Sequence, residues 1–421
     1  MQRTNPESVG ISSERLTRLD RWLENQVHSG RVQGASVLVA RRGKIAHLGV
    51  AGQADAELNR PFAEDTIVRI YSMSKAVTTV AAMALYEEGA FQLDDPVAVY
   101  LPEFADTPVW CGGPLDNVVP QSSPLTVRHL MTHTSGLTYG FMQTTPVDAA
   151  YRAAGIEFNG GSGTLAEQVQ QLARLPLICQ PGSQWNYSVS TDVLGRLVEV
   201  WSGQSLRDFL LQRICAPLKM DATDFHVHPE NLARFAALYV PASGGGLAGV
   251  AQASGERRDT ALPLKLSESA SDSPYLAPAS VYSGGGGLTG SITDYARFCQ
   301  MLLNGGELDG QRILGPKTVA HMRKNHLPDN KDMAAMGQPV WSETSYDGIG
   351  FGLGFAVVVD PVKANIVTST GEHHWGGAAS TFFWIDPEEE LSVVFFTQLM
   401  PSSTYPIRRE LRVRVYQALV D

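Results

Sequence analysis

Apolar positions along this chain recur in two rhythms, and the points where one gives way to the other divide it. After Ser12 and Ser13, the run ERLTRLDRWLENQVHSG places Leu16, Leu19, Trp22 and Leu23 at helical spacing and closes at Gly30, which predicts a surface helix. ASVLVA and KIAHLGVAG then flank Arg41, Arg42 and Gly43 and predict a hairpin. Thr66 to Tyr71 (TIVRIY) is a short β-prone segment. From Ser72 the composition switches to the Ala/Met/Leu-rich run MSKAVTTVAAMALYEEG, a long buried helix ending at Gly89. Between about Asp94 and Met322 helical segments alternate with Pro/Gly/Ser loops, including the polar stretch from Ser243 to Ser273. Beyond it, GFGLGFAVVV, STFFWI and LSVVFFTQ are β-branched and aromatic runs parted by turns, and TYPIRRELRVRVYQALV predicts a closing helix. Strands and helices at both ends around a helical middle predict an α/β sandwich split by a large helical insertion. No internal repeat is present.

The 421 residues allow two or three domains, and 43% apolar content excludes a disordered or fibrous chain. With 33 basic against 43 acidic residues the net charge is -10, a poor match to nucleic acid or anionic lipid. Cys111, Cys179, Cys215 and Cys299 stand far apart with no CxxC pair, which argues against a disulfide framework or zinc knuckle and for a reducing compartment. The amino terminus lacks the apolar stretch of roughly 7–15 residues that a secretory signal needs, and no run reaches the roughly 18 that span a bilayer. A cytoplasmic location, away from membranes, is the expectation.

Ser72-Met73-Ser74-Lys75 is an S-x-x-K. Three residues apart on a helix, hydroxyl and amine share a face, and the helix N-terminus disfavours a protonated lysine while favouring an oxyanion. Lys75 is also the only charge between Arg69 and Glu87; a lysine alone in so apolar a run either snorkels to the surface or is functional. No G-x-S-x-G occurs, which argues against a nucleophile-elbow hydrolase. Gly285, Gly287 and Gly290 form a G-x-G-x-x-G, but no convincing strand precedes it, so a flexible loop before a helix N-cap is the preferred reading over a dinucleotide site. His129 and His133 are spaced like metal ligands on a helix, and His226-Val-His228 and His373-His374 add imidazoles. Without the Glu of H-E-x-x-H or a nearby thiolate, structural histidines are preferred over a metal-dependent hydrolase, and no metal or cofactor is expected. In WNYSVS, Tyr187 precedes a helix capped by Ser190 or Thr191. His374-Trp375-Gly376-Gly377-Ala378-Ala379 has the look of a glycine-permitted close approach in an edge strand.

Four blocks in order, YSMSK (Tyr71–Lys75), LTVRHLMTHTSGL (Leu125–Leu137), PGSQWNYSVS (Pro181–Ser190) and HWGG (His374–Gly377), together resemble the serine β-lactamase and penicillin-binding superfamily, most closely its family VIII carboxylesterase branch. GGGGLTGSITDYARF and GFGLGF also look like family segments. The resemblance implies an α+β fold: an antiparallel sheet flanked by helices, formed by residues 1–92 and 330–421, with a mainly helical domain over 93–329 and the active site in the cleft between them. It implies Ser72 as the acylated nucleophile, Lys75 as its neighbouring base and Tyr187 as the first residue of the Y-x-N element, the choice of base between Lys75 and Tyr187 staying open. The oxyanion hole would be the N–H groups of Ser72 and Ala378, with Gly377 in reserve, because either His374-Trp375-Gly376 or Trp375-Gly376-Gly377 stands in for the K-T-G triad. Asp192 is a supporting acid or simply a helix-start acid.

Two departures direct the substrate expectation. The Asn of Y-x-N is Val189, and the K-T-G lysine is replaced by histidine or tryptophan, removing a partner for a substrate carboxylate. The expectation is therefore a serine carboxylesterase (EC 3.1.1) acting on short-chain neutral esters, with at most weak β-lactamase activity. The alternatives within the superfamily are a β-lactamase, a D-aminopeptidase or DD-peptidase, and an acyltransferase. The oligomeric state stays open, a homodimer being one option.

Overall fold

The hairpin read from ASVLVA and KIAHLGVAG forms the middle of the main sheet. The computed structural model describes residues 1–156, 158, 160–244, 261–337, 346–402 and 404–421. In it β1 (Gly34–Arg41) turns into β2 (Lys44–Asp55) through Arg42 and Gly43, both at positive φ, and the short β3 (Arg60–Pro61) adds to β2. The other five strands come from the far end of the chain: β4 (Ile349–Phe351), β5 (Ala356–Val358), β6 (His373–Gly376), β7 (Phe382–Asp386) and β8 (Leu391–Thr397). The strand order is β4-β5-β6-β7-β8-β1-β2-β3 and every neighbouring pair is antiparallel. The two chain ends join where β8 pairs with β1, Val37 opposite Phe395.

Every residue of β1 and β8 is buried, so helices must cover both faces of the sheet. Alternation sorts the side chains: Val37, Val39, Val393, Phe395 and Trp384 pack with Leu19 and Trp22 of α1 (Ser13–His28) and with Leu411 and Val415 of the C-terminal helix (Ile407–Tyr416). Leu38, Val394, Phe396, Phe383 and Ile385 join the larger core on the other face, with Tyr295 and Phe298 of the helix Ile292–Leu303. That helix lies within the 93–329 block yet packs on β1, β7 and β8.

The run after Ser72 begins as a 3-10 turn, Tyr71–Met73, and continues as α2 (Ser74–Glu87), buried at every position from Ser74 to Leu85. A helix apolar all round belongs inside a protein, and α2 packs against the helix Ser190–Ser202. Two expectations need correction. The middle block, expected to be mainly helical, also carries short ladders such as Leu238–Pro241 with Leu264–Glu268. The polar stretch from Ser243 to Ser273 lies partly outside the described residues. The HWGG strand is not an edge: β6 is paired to β5 on one side and β7 on the other. Val189, with no side-chain cap, precedes the Ser190–Ser202 helix, because the Ser190 hydroxyl is taken up 2.7 Å from both Ser135 Oγ and Ser188 Oγ.

The C-terminal helix is tied to β6 by buried charge. Glu372 accepts from Arg412 Nη2 at 2.5 Å and lies 2.7 Å from His374 Nδ1. Burial alone would raise its pKa, but the Arg412 and His374 charges and hydrogen bonds overcome this and hold it at about 2. His373 next to it is pushed down to about 4, chiefly by burial. Both shifts act in one direction: the unfolded chain binds protons that the folded chain refuses, so stability is lost as the pH is lowered. His373 gives up its contribution between its ordinary 6.5 and about 4, and Glu372 between 4.5 and about 2, about 3 kcal/mol each. Urea unfolding midpoints should therefore drop from pH 7 to pH 4 and drop again below it; a flat profile over pH 7–4 would count against buried neutral His373. Glu372→Gln should remove the lower step and, by leaving Arg412 unpaired, cost about 3–5 kcal/mol at pH 7.

Candidate active site

Ser72 sits where a strand stops and a buried helix starts. Ile67–Arg69 pairs with Thr289–Ser291, and the next residues bend into the turn Tyr71–Met73, with Met73 N–H on the Ile70 carbonyl at 3.1 Å. Tyr71 has φ 43°, a left-handed value that a tyrosine adopts only where its surroundings impose it. The neighbours Tyr71, Met73 and Ser74 are buried while Ser72 stays partly accessible, so the turn presents one hydroxyl.

One helical turn on, Lys75 is 1% exposed. The snorkelling alternative is thereby excluded: the ammonium points inward and its three N–H donors meet three acceptors, Ser72 Oγ at 3.2 Å, Tyr139 Oη at 3.0 Å and the Gly285 carbonyl at 2.6 Å. Tyr187 Oη lies 2.6 Å from Ser72 Oγ, and its ring is 4.7 Å from Lys75 Nζ. Ser72, Lys75 and Tyr187, far apart in sequence, thus share one hydrogen-bonded cluster. Tyr139, which the sequence reading does not single out, is its fourth member; burial first, then Tyr187 and Asp192 nearby, hold its hydroxyl protonated.

The G-x-G-x-x-G segment is no flexible loop. Ser283 to Leu288 is almost wholly buried against α2, where the Gly284 carbonyl accepts from Thr78 Oγ1 at 2.9 Å and the Gly285 carbonyl from Lys75. Asp192, in the first turn of its helix, orients this turn: its Oδ1 accepts from Ser283 Oγ at 2.6 Å and from Gly285 N–H at 3.0 Å. Burial raises the Asp192 pKa, against the pull of Lys75 and these hydrogen bonds.

Strand alternation decides between the two registers left open at HWGG. His374 and Gly376 face the C-terminal helix, His374 on Glu372 and Gly376 beneath the Arg408 guanidinium. Trp375 and Gly377 face the side of the Tyr71–Met73 turn: the Trp375 ring lies 5.5 Å from Tyr187 and 5.4 Å from Phe351. A Cβ on Gly377 would run into the Ile70 carbonyl, which is the close approach expected from its glycine. Of the two registers, Trp375-Gly376-Gly377 is the one whose first and last residues face the Ser72 cluster. Gly377 N–H is spent on the Thr381 carbonyl at 2.9 Å, which leaves Ala378 as the next residue able to aim an N–H at the cleft. Tyr139, Phe141, Trp185, Tyr187, Phe351 and Trp375 make this wall aromatic.

His129 and His133 are not brought together. His129 Nδ1 accepts from Thr126 N–H at the start of the short helix Val127–Met131, and its pKa is pushed to about 4 by burial and Arg128. His133 lies past the end of that helix at φ 55°, 3.1 Å from Ser188 Oγ and behind the Tyr187 ring. The metal-dependent alternative has no ligand set there.

Comparison with known proteins agrees with this geometry. The Beta-lactamase family model matches residues 19–417. The chain is 32% identical to Esterase EstB of Burkholderia gladioli over 98% of both chains. It is 29% identical to the monacolin J acid methylbutanoyltransferase of Aspergillus terreus over 83% of this chain and 81% of that one. Among solved structures, EstCE1, described as a hydrolase with promiscuous acyltransferase activity, matches with a TM-score of 0.77 at 28% identity, covering 96% of this chain and 99% of that chain. With a serine, a buried lysine and a tyrosine meeting on an α+β frame, and a family match running almost end to end, the chain belongs to the Beta-lactamase family.

Proposed function

We propose that this protein is a serine carboxylesterase that hydrolyses short-chain acyl esters through an acyl-enzyme on Ser72. The observation that carries the reading is the cluster of Ser72, Lys75 and Tyr187 beneath an aromatic wall, with Trp375 where a β-lactam-handling relative would need a cation. Similarity to EstB supports the esterase class.

In this reading Ser72 Oγ attacks the ester carbonyl carbon while its proton passes to Tyr187 Oη, 2.6 Å away. For Tyr187 to accept that proton its hydroxyl must already be ionised, and in this reading the Lys75 ammonium, 4.7 Å from the Tyr187 ring, stabilises that phenolate, which becomes the neutral phenol on taking the serine proton. The oxyanion of the tetrahedral intermediate accepts from the N–H groups of Ser72 and Ala378. Collapse expels the alcohol, which takes the proton back from Tyr187, and water repeats the sequence on the acyl-enzyme. The substrate is a neutral small-molecule ester, since the aromatic wall offers bulk and no charge for a carboxylate to pair with. A second reading, acyl transfer to an alcohol or amine, rests on the similarity to the methylbutanoyltransferase and to EstCE1. Adding butanol during hydrolysis of p-nitrophenyl butyrate separates the two, because a transferase diverts most acyl groups to butyl butyrate.

Ser72→Ala should cut p-nitrophenyl butyrate hydrolysis by at least about 10⁴-fold, and a fluorophosphonate should label Ser72; retained activity above about one per cent would sink the nucleophile assignment. Tyr139→Phe, which takes one acceptor from Lys75, should lower kcat about tenfold and shift the pH–rate profile with little change in KM. Gly377→Ala should push the strand off the Ile70 carbonyl and lower kcat/KM by about 10²-fold with an unchanged circular dichroism spectrum. Nitrocefin turnover matching ester turnover would transfer the assignment to a β-lactamase.

A further inference from the structure

We propose that Asp224, His226 and His228 form a binding site for a transition-metal dication of the zinc class, outside the Ser72 cluster and not used by its chemistry. The spacing is i, i+2, i+4, and the sequence reading treats both histidines as structural. The fold gathers one ligand atom from each of the three residues, all within 4.8 Å of one another. His228 Nε2 is 3.1 Å from Asp224 Oδ2 and His226 Nδ1 is 3.8 Å from the same oxygen, with the two imidazole rings 4.4 Å apart. Ligand atoms on one zinc ion at bond lengths of about 2.0–2.1 Å stand about 3.3 Å apart, so small ring rotations close the set.

Two further observations point to an ion. His226 Nδ1 is buried and has no hydrogen-bond partner, an unusual state for an imidazole nitrogen that faces a carboxylate. Asp224 is also oriented as a ligand carboxylate is. Arg207 Nε meets Oδ1 at 2.7 Å and Arg207 Nη2 meets Oδ2 at 2.6 Å, while Phe225 N–H donates to Oδ1 at 2.6 Å. This fork fixes the carboxylate and keeps it ionised, and Oδ2 retains a second lone pair on the side where His228 donates. A metal ion there replaces the His228 proton, and the carboxylate's other contacts become its supporting hydrogen bonds. The arginine charge opposes a second cation, which sets the expected affinity at micromolar rather than nanomolar. Two imidazoles and one carboxylate suit zinc, cobalt or nickel better than magnesium or calcium. The His228 side chain is 43% exposed, so water reaches the remaining coordination position.

The site has a mechanical link to the fold. The Asp224 carbonyl accepts from Thr289 N–H at 2.8 Å and Thr289 Oγ1 at 3.1 Å, and Thr289–Ser291 is the strand paired with Ile67–Arg69. An ion tightens this joint without touching Ser72.

The test is calorimetric titration of the EDTA-treated full-length protein with ZnCl2, paired with visible absorbance on adding CoCl2. We expect one equivalent of zinc bound at micromolar Kd, and the intense absorption of low-coordinate cobalt. His226→Ala and His228→Ala should each weaken zinc binding at least tenfold, with His129→Ala unchanged. Absence of stoichiometric binding below 1 mM zinc, or a loss confined to one of the two variants or to neither, overturns the three-ligand site. Ester hydrolysis should be indifferent to EDTA, so failure here leaves the Ser72 reading standing and failure of that reading leaves this one.

Discussion

A single buried ammonium organises this active-site region. Lys75 sits in the first turn of a helix that is buried on all sides there, where an unpaired charge costs several kcal/mol. The cost is offset only if all three donors are met, and the acceptors come from three separate pieces of chain: the turn carrying Ser72, the loop carrying Tyr139 and the glycine turn ending at Gly285. Each piece is therefore located by the same nitrogen. The serine is not so much activated by a mobile neighbour as held in a frame that could not close without it.

The glycines of that frame have a role that their motif disguises. Gly285 presents its carbonyl to Lys75 and its N–H to Asp192, so the two peptide groups that meet at one α-carbon link the buried cation to a buried carboxylate. The two buried groups are thus each met by one of two adjoining peptide dipoles, which suits a low-dielectric interior better than leaving either without a partner. A side chain at Gly285 would collide with the Asp192 carboxylate, so the residue type follows from this contact and has nothing to do with phosphate binding.

Legibility in the sequence followed the strength of local pattern. The hairpin at residues 34–55, the helix at 13–28 and the buried helix after Ser72 all announce themselves through period and composition, and they stand where expected. Ser72 and Lys75 were visible because a lone charge in an apolar run is conspicuous; Tyr187 was visible only through its resemblance block. Tyr139 carries no such signal: it follows Gly136-Leu137-Thr138 in a loop, and only the folded position of Lys75 gives it meaning. The choice between Trp375 and His374 depends on which side of β6 each residue faces, which a four-residue strand with two histidines and one glycine does not encode in its hydrophobicity. The packing of Ile292–Leu303 on the sheet is likewise tertiary, since its amphipathic pattern says that it has a buried face and not what covers it.

The pairing of β1 with β8 joins segments far apart along the chain in one sheet, so the parts of the site are brought together only when both have been made. The serine turn emerges early in synthesis, but the Trp375–Ala378 strand that faces it, and the helix whose Arg408 and Arg412 grip that strand from behind, emerge almost last. Until then Ser72, the proposed nucleophile, lacks the Trp375 side of the cleft and the Ala378 N–H proposed as its second oxyanion donor. On the proposed mechanism, a chain that stops short of β6 therefore carries Ser72 without the groups that would let it take up an acyl group.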